Sequence, residues 1–252
     1  MKINEIIDDI SIAVIVLTRF PINNIFSINQ NIEINRGQWA YPVIGALIGF
    51  FLFLLIFLFN NIGIPHQVSI IISLSIGIFL TGALHEDGVA DFFDSLGGKE
   101  YSTRQKILKD SRLGSFGTLA LIIAFMIKFL LLSELEYPLA LAFGLIACSS
   151  LGRFSILLLV KYSDLSKHAG LTKHLKKVNN KTLILCGIFS MLWVIPAGLL
   201  ALIFTIIFGY ASMYFFLKFI IPFNRGLSGD ILGLYVVFVE ISSLLILTAS
   251  FS

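Results

Sequence analysis

The sequence predicts an all-α, polytopic integral membrane bundle of about seven transmembrane helices with interfacial helices beside them. Of the 252 residues, 57% belong to the AVILMFWYC set and only 13% are charged. The mean hydropathy is +0.94, and the apolar residues fall into runs near the ~20 residues that one bilayer crossing needs. An average soluble chain is roughly 45–50% apolar and about 25% charged. A soluble enzyme, a disordered chain and a small secreted scaffold are therefore excluded, and residues 1–252 suit a single integral membrane domain.

In chain order, residues 1–20 place Glu5, Asp8 and Asp9 ahead of a short apolar run. That order is unlike a cleaved signal peptide, and an interfacial helix that stays on the mature chain is expected. The first span covers residues 40–59, with no charge. After a turn marked by Asn60, Asn61, Gly63 and Pro65, the second covers 67–84. Residues 85–112 are polar, and spans follow at 113–132 and, past Glu134, Glu136 and Pro138, up to residue 160. A basic loop occupies 161–181; Pro196 with Gly198 then divides the apolar stretch 182–221 into two spans, and the last span covers 231–249. Cys148 and Cys186 lie inside apolar runs and read as small buried residues rather than a disulfide or a thiolate metal site.

Lys and Arg gather in cytoplasmic loops. In the seven-span arrangement Arg19, Arg36, the cluster from Lys99 to Arg112, the basic loop and Arg225 share one side, while the opposite loops near Asn60, Glu134 and Pro196 hold none. Residues 85–112, 161–181 and 222–230 are thus expected to meet at the cytoplasmic face of the membrane. Two charges do not fit the one-sided pattern, Lys128 near the far end of the third span and Glu240 midway through the last. Lipid exposure of either would be costly, so a pair inside the bundle is expected, with snorkelling of Lys128 to the far interface as the alternative.

The segment TGALHEDGVADFFDSLGG, residues 81–98, concentrates ionisable side chains at the end of a span. If it is helical, Asp87, Asp91 and Asp94 lie at i, i+4 and i+7 and share a face. Carboxylates that close repel unless a cation holds them, and hard oxygen ligands suit Mg²⁺ or Mn²⁺, which keeps waters and accepts phosphate oxygens. A solvated acidic face is the plainer alternative, but Gly88, flanked by Gly82, Gly97 and Gly98, marks close backbone approach. His85 and Glu86 read as polar contacts near the site; His66, His168 and His174 are isolated, which leaves no zinc pattern. In ILKDSRLGSFG, residues 107–117, Lys109 and Arg112 supply charge for a diphosphate. Ser111, Gly114 and Ser115 lie where the next span begins and free amides can meet an anion; an interfacial basic anchor remains the alternative. In GLSGDILG, residues 226–233, Asp230 is a third candidate acid, or a helix cap.

The block TGALHEDGVADFFDSLGG followed by ILKDSRLGSFG closely resembles the signature of the cobalamin synthase family (adenosylcobinamide-GDP ribazoletransferase, cobalamin 5′-phosphate synthase), in which a TGGLHEDGLAD-like block precedes a KDSRIGTYG-like one. LTRFP at 17–21, YPVIGALIG at 41–49 and GLSGDILG resemble the family's other landmarks, so the similarity spans nearly the whole chain. Ala83 departs from a usual glycine, Phe92 and Phe93 from smaller residues, and Ser95 from a common glycine.

The resemblance implies a Mg²⁺-dependent transfer at a membrane: adenosylcobinamide-GDP and α-ribazole 5′-phosphate, or α-ribazole, give the nucleotide-loop phosphodiester and GMP. On that basis Asp87, Asp91 and Asp94 are expected to hold the metal and Lys109 and Arg112 to balance the leaving phosphate. Asp91 or Asp94 is the alternative acceptor for the hydroxyl proton. His85, Glu86, Gly88, Ser111, Gly114 and Asp230 are the further candidates for cofactor and substrate contacts. Membrane lipid is the other expected partner; a homo-oligomer stays open and no nucleic acid is expected. The basic loop carries six lysines against Asp164 with Tyr162 its single aromatic, a positive-inside pattern rather than a nucleic-acid surface. A CDP-alcohol phosphotransferase has loosely similar aspartate spacing, but Ala90 and Asp91 stand where that pattern has Ala-Arg after its Asp-Gly. A cation or solute transporter would place its acids near the midplane, not at a span end.

Overall fold

The computed structural model describes residues 3–20, 33–108, 112–166 and 170–251. Helix α1 (Ile3–Leu17) lies against a 3₁₀ segment, Ile34–Ala40. Buried Asp9 joins them, accepting from Trp39 Nε1 at 3.0 Å and pairing with Arg36 Nη2 at 3.0 Å. α2 (Tyr41–Asn61) starts with Pro42 in its first turn, where a missing N–H costs nothing. It is followed by α3 (His66–Thr81), α4 (Leu84–Ser95), the short α5 (Tyr101–Ile107), α6 (Ser115–Ser133) and α7 (Pro138–Tyr162). Asn179 caps α8 (Asn180–Leu192) through Thr182 N at 2.7 Å. After the 3₁₀ turn Ile195–Ala197, α9 (Leu199–Phe215) passes through a π-helical turn, Phe216–Ile220, into α10 (Ile221–Phe223), and α11 (Gly229–Phe251) ends the fold. Among the described residues there is no strand, only a lone parallel bridge between Leu165 and Leu227.

The seven expected spans resolve unequally. The α2, α6, α7, α9–α10 and α11 stretches are long and apolar enough to cross a membrane. α3 has 16 residues and reaches crossing length only together with α4, from which it is bent by 88°. The bend falls where Gly82 and Ala83 take positive φ, +69° and +57°. α8 stops after 13 residues, short of the Pro196 and Gly198 break. Each expected span coincides with a helix, but two of these, α3 and α8, are too short to cross alone.

α7 is the central post, buried along nearly its whole length. α2 packs on it so closely that a Cβ at Gly45 would meet Ser149 O and one at Gly49 would meet Leu145 O. This small-xxx-small spacing lets two backbones touch where van der Waals packing, not water, must hold helices together. Inside the bundle Glu240 of α11 accepts from Lys128 of α6 at 2.5 Å and from Arg153 of α7. The expected Lys128–Glu240 pair is present, with a second cation the sequence reading passed over. Both cysteines are free and buried, as expected.

Glu240→Ala should lower the stability of detergent-solubilised protein by about 3–5 kcal/mol, because Lys128 and Arg153 would keep buried charges with no counter-ion. Thermal unfolding of the single variant beside a Lys128→Met/Arg153→Met/Glu240→Met triple variant, expected to recover much of the loss, checks this. In the same assay Gly49→Val should cost about 1–3 kcal/mol by forcing α2 off α7.

Candidate active site

The helix that carries the acids begins where α3 ends. Gly82 N and Ala83 N still bond back to Phe79 O and Ile78 O, and the two left-handed residues then swing the chain across the end of the bundle. Arg19 secures the elbow from outside: its N–H donates to Leu80 O at 2.7 Å and its guanidinium to Gly82 O at 3.5 Å. From Leu84 the chain is helical to Ser95, so Asp87, Asp91 and Asp94 share one helix, as their spacing requires.

α4 rests on α11 through glycine. A Cβ at Gly88 would lie 2.6 Å from Asp230 O and 3.0 Å from Gly233 Cα, and one at Gly233 would lie 2.9 Å from His85 O. This contact places Asp87 and Asp91 beside Asp230, the acid at the start of α11. Burial first, then the charges of Asp87, Asp230 and Asp94, push the half-buried Asp91 carboxyl up to about 6. A cation among these groups would relieve that repulsion and restore the charged form. Asp94 is engaged differently: its two oxygens accept from Gly114 N and Gly117 N, each at 2.8 Å. It thus closes the first turn of α6, and any side chain at either glycine would collide with the carboxylate.

The donor set fits a hard divalent cation in chemistry, with Asp87, Asp91 and Asp230 supplying oxygen and no soft ligand nearby. Among the described residues no three His, Cys, Asp or Glu side chains converge closely enough to enclose a metal. Mg²⁺ does not require such a cage, since one or two carboxylates suffice when waters and substrate phosphates complete its shell. Arg112 stands exposed just before α6, two positions from the Gly114 that binds Asp94. Lys109 and Ser111 lie outside the described residues.

His85 and Glu86 turn away from the acidic face. His85 is 5% exposed, and both its Nε2 and Glu86 Oε2 are buried with no hydrogen-bond partner among the described residues. Glu86 lines a cavity of about 280 Å³ inside the bundle, whose apolar wall of Leu52, Leu74, Leu121 and Phe125 also carries Lys128, Arg153 and Glu240. Arg153 is the residue that sequence reasoning missed. An arginine inside the apolar run of the fourth span carries the same signal as Lys128 and Glu240.

The polar segments meet at this end, as expected from the charge pattern. Leu227 N donates to Asp164 O and Ser166 N to Leu227 O, each at 2.9 Å, which joins the basic loop to the turn before α11.

A family model described as Cobalamin-5-phosphate synthase matches residues 9–248. A protein of Shewanella baltica (strain OS185) named adenosylcobinamide-GDP ribazoletransferase is 32% identical over 246 residues, 90% of this chain and 88% of its own. One of the same name from Rhizobium etli is 31% identical, with 97% of each chain covered. No solved structure is significantly similar. The phosphotransferase and transporter alternatives are accordingly not favoured.

Removing a helix-capping carboxylate typically costs about 0.5–2 kcal/mol, so Asp94→Ala should be destabilising by that much in thermal unfolding without divalent cation. Asp91→Ala should be neutral or stabilising in the same assay, since it removes one of several mutually repelling acids.

Proposed function

We propose the activity of this chain from one premise: it belongs to the cobalamin-5-phosphate synthase family. It is a membrane-embedded transferase that joins adenosylcobinamide-GDP to α-ribazole 5′-phosphate or α-ribazole and releases GMP. The observation that carries this reading is the placement of Asp87 and Asp91 beside Asp230 across the Gly88–Gly233 contact. The acids would hold Mg²⁺, which supplies positive charge for the substrate diphosphate.

In the transfer a ribose hydroxyl of the ribazole attacks the phosphorus that bears the cobinamide. A new P–O bond forms, the bond to the bridging oxygen breaks, and that oxygen leaves with GMP. The protein has to hold the two reactants in line and balance charge as it shifts to the leaving group. Lys109 and Arg112 serve the second task, Arg with a planar fork matched to phosphate. The hydroxyl proton passes to a carboxylate, and Asp91 is freer for this than Asp94, whose two oxygens are already occupied by amides. Asp94 instead orients the Arg112 turn by fixing Gly114. Gly88 acts through close packing, and Gly114, at the start of α6, is the proposed phosphate contact. His85 and Glu86 support the helix from within.

The Lys and Arg bias supports a cytoplasmic position for this face, within reach of water-soluble substrates, and the proposed location is a bacterial inner membrane. Lipid covers the exposed apolar faces of α6 and α9.

The test is GMP release and phosphodiester formation in liposomes from adenosylcobinamide-GDP and α-ribazole 5′-phosphate, with Mg²⁺ or with EDTA. Product should require the metal and fall by about 10²-fold or more in Asp91→Asn. Normal turnover by a folded Asp91→Asn variant would remove the acidic face from the reaction.

A further inference from the structure

Beside the carboxylates, at the same end of the bundle, two arginines sit over aromatic rings. Arg104 of α5 has its Cζ 3.7 Å from the centroid of Phe223 in α10, and Arg225, two residues on, has its Cζ 4.2 Å from the centroid of Tyr101 in α5. The contacts are reciprocal, each side giving one cation and one ring. Among the described residues neither guanidinium has a carboxylate partner, and α5 has no buried residue. Core packing therefore does not account for the arrangement.

Two links tie this patch to the acids. Phe223 meets Phe92, the neighbour of Asp91, with ring centroids 6.3 Å apart at 61°. Asn224 donates to Gly226 O at 3.2 Å and to Ser228 Oγ at 3.1 Å, and Ser228 Oγ donates to Asp230 Oδ2 at 3.4 Å. One short loop thus carries Arg225 at one end and the Asp230 carboxylate at the other. Arg225 itself has φ +56°, and Ala83 is the other non-glycine residue with positive φ among those described. Such strain costs free energy and persists where surrounding contacts hold a side chain in place.

We propose that this patch is the subsite for the purine base of the nucleotide half of the substrate, a reading that rests on the transferase assignment above. A nucleobase stacks on aromatic rings and on guanidinium planes. A guanidinium lying face-on to a ring keeps its in-plane N–H fork for other partners, and that fork matches the O6 and N7 edge of guanine. The ribose of a nucleotide separates base from phosphate, and here a few residues of one loop separate Arg225 from Asp230. The diphosphate lies at the acids, and the base extends over Tyr101 and Arg225 with Phe223 and Arg104 behind.

The test uses the full chain in neutral-lipid nanodiscs with Mg²⁺ and measures equilibrium binding of GMP, AMP and ribose 5-phosphate. GMP should bind about tenfold or more tightly than ribose 5-phosphate, and more tightly than AMP. Tyr101→Ala and Arg225→Ala should lose that preference while still binding ribose 5-phosphate. Arg225→Lys should not restore it, because an ammonium has no planar fork. In turnover these variants should raise the KM for adenosylcobinamide-GDP and leave kcat at saturation nearly unchanged.

Photolabelling of the unaltered protein with 8-azido-GMP should modify a peptide containing Tyr101 or Arg225, which tests the assignment even if a variant misfolds. Equal binding of GMP and ribose 5-phosphate, a label elsewhere, or variants that lose only affinity for anionic vesicles would overturn it, the last by showing a lipid anchor. Absence of GMP formation from adenosylcobinamide-GDP by unaltered protein would instead sink the transferase reading, a separate outcome.

Discussion

A carboxylate in the middle of an apolar bundle stays charged only if cations are brought to it, and Glu240 is met by Lys128 and Arg153 from two other helices. Because the three residues come from α11, α6 and α7, satisfying this charge fixes how those helices are rotated and how deep each sits. The rest of the site follows from those positions. α6 presents Gly114 and Gly117 to Asp94, α11 presents Gly233 and Asp230 to α4, and α7 is the surface against which α2 closes through Gly45 and Gly49. Such networks add little net stability compared with an apolar core, and their best-attested role is specifying one arrangement among several.

On that frame the candidate acids are mounted on a helix that does not cross the bundle. α4 leaves α3 at 88° and is held from three directions: Arg19 at the elbow, α11 beneath Gly88, and α6 through Asp94. Two sides of α4 consequently have different chemistry. Asp87 and Asp91 face the polar end with Asp230, while His85 and Glu86 face the bundle interior and its charged cavity. Neighbouring acids in the sequence, Glu86 and Asp87, thus serve opposite surfaces of one helix.

Much of this was legible in the sequence because it is local. The spacing of Asp87, Asp91 and Asp94 gave them one face if the segment was helical, Gly88 signalled a close backbone, and charges inside spans called for partners, as Lys128 and Glu240 show. Three things were not legible. The angle between α3 and α4 depends on what α4 packs against, so the second span appeared as a plain crossing. Asp94 was expected beside its two companions as a ligand, but its hydrogen bonds to amides 20 and 23 residues away arise only when α6 arrives. Arg153 carried a readable signal, yet its role as the second partner of Glu240 depends on the packing of α7 against α11. The recurrence of family blocks pointed to the chemistry; it could not say which side of α4 each residue would occupy.

The elbow at Ala83 has a further consequence. Alanine is the strongest helix former, and holding it left-handed runs against its local preference by roughly 1–2 kcal/mol. Taken alone, the stretch from α3 into α4 would gain by straightening into one long rod, carrying Asp87 and Asp91 away from Asp230. Only the assembled bundle keeps it folded over. The acidic site is therefore a spring held under tension by its neighbours, and it exists as a site only for as long as α6 and α11 are in place.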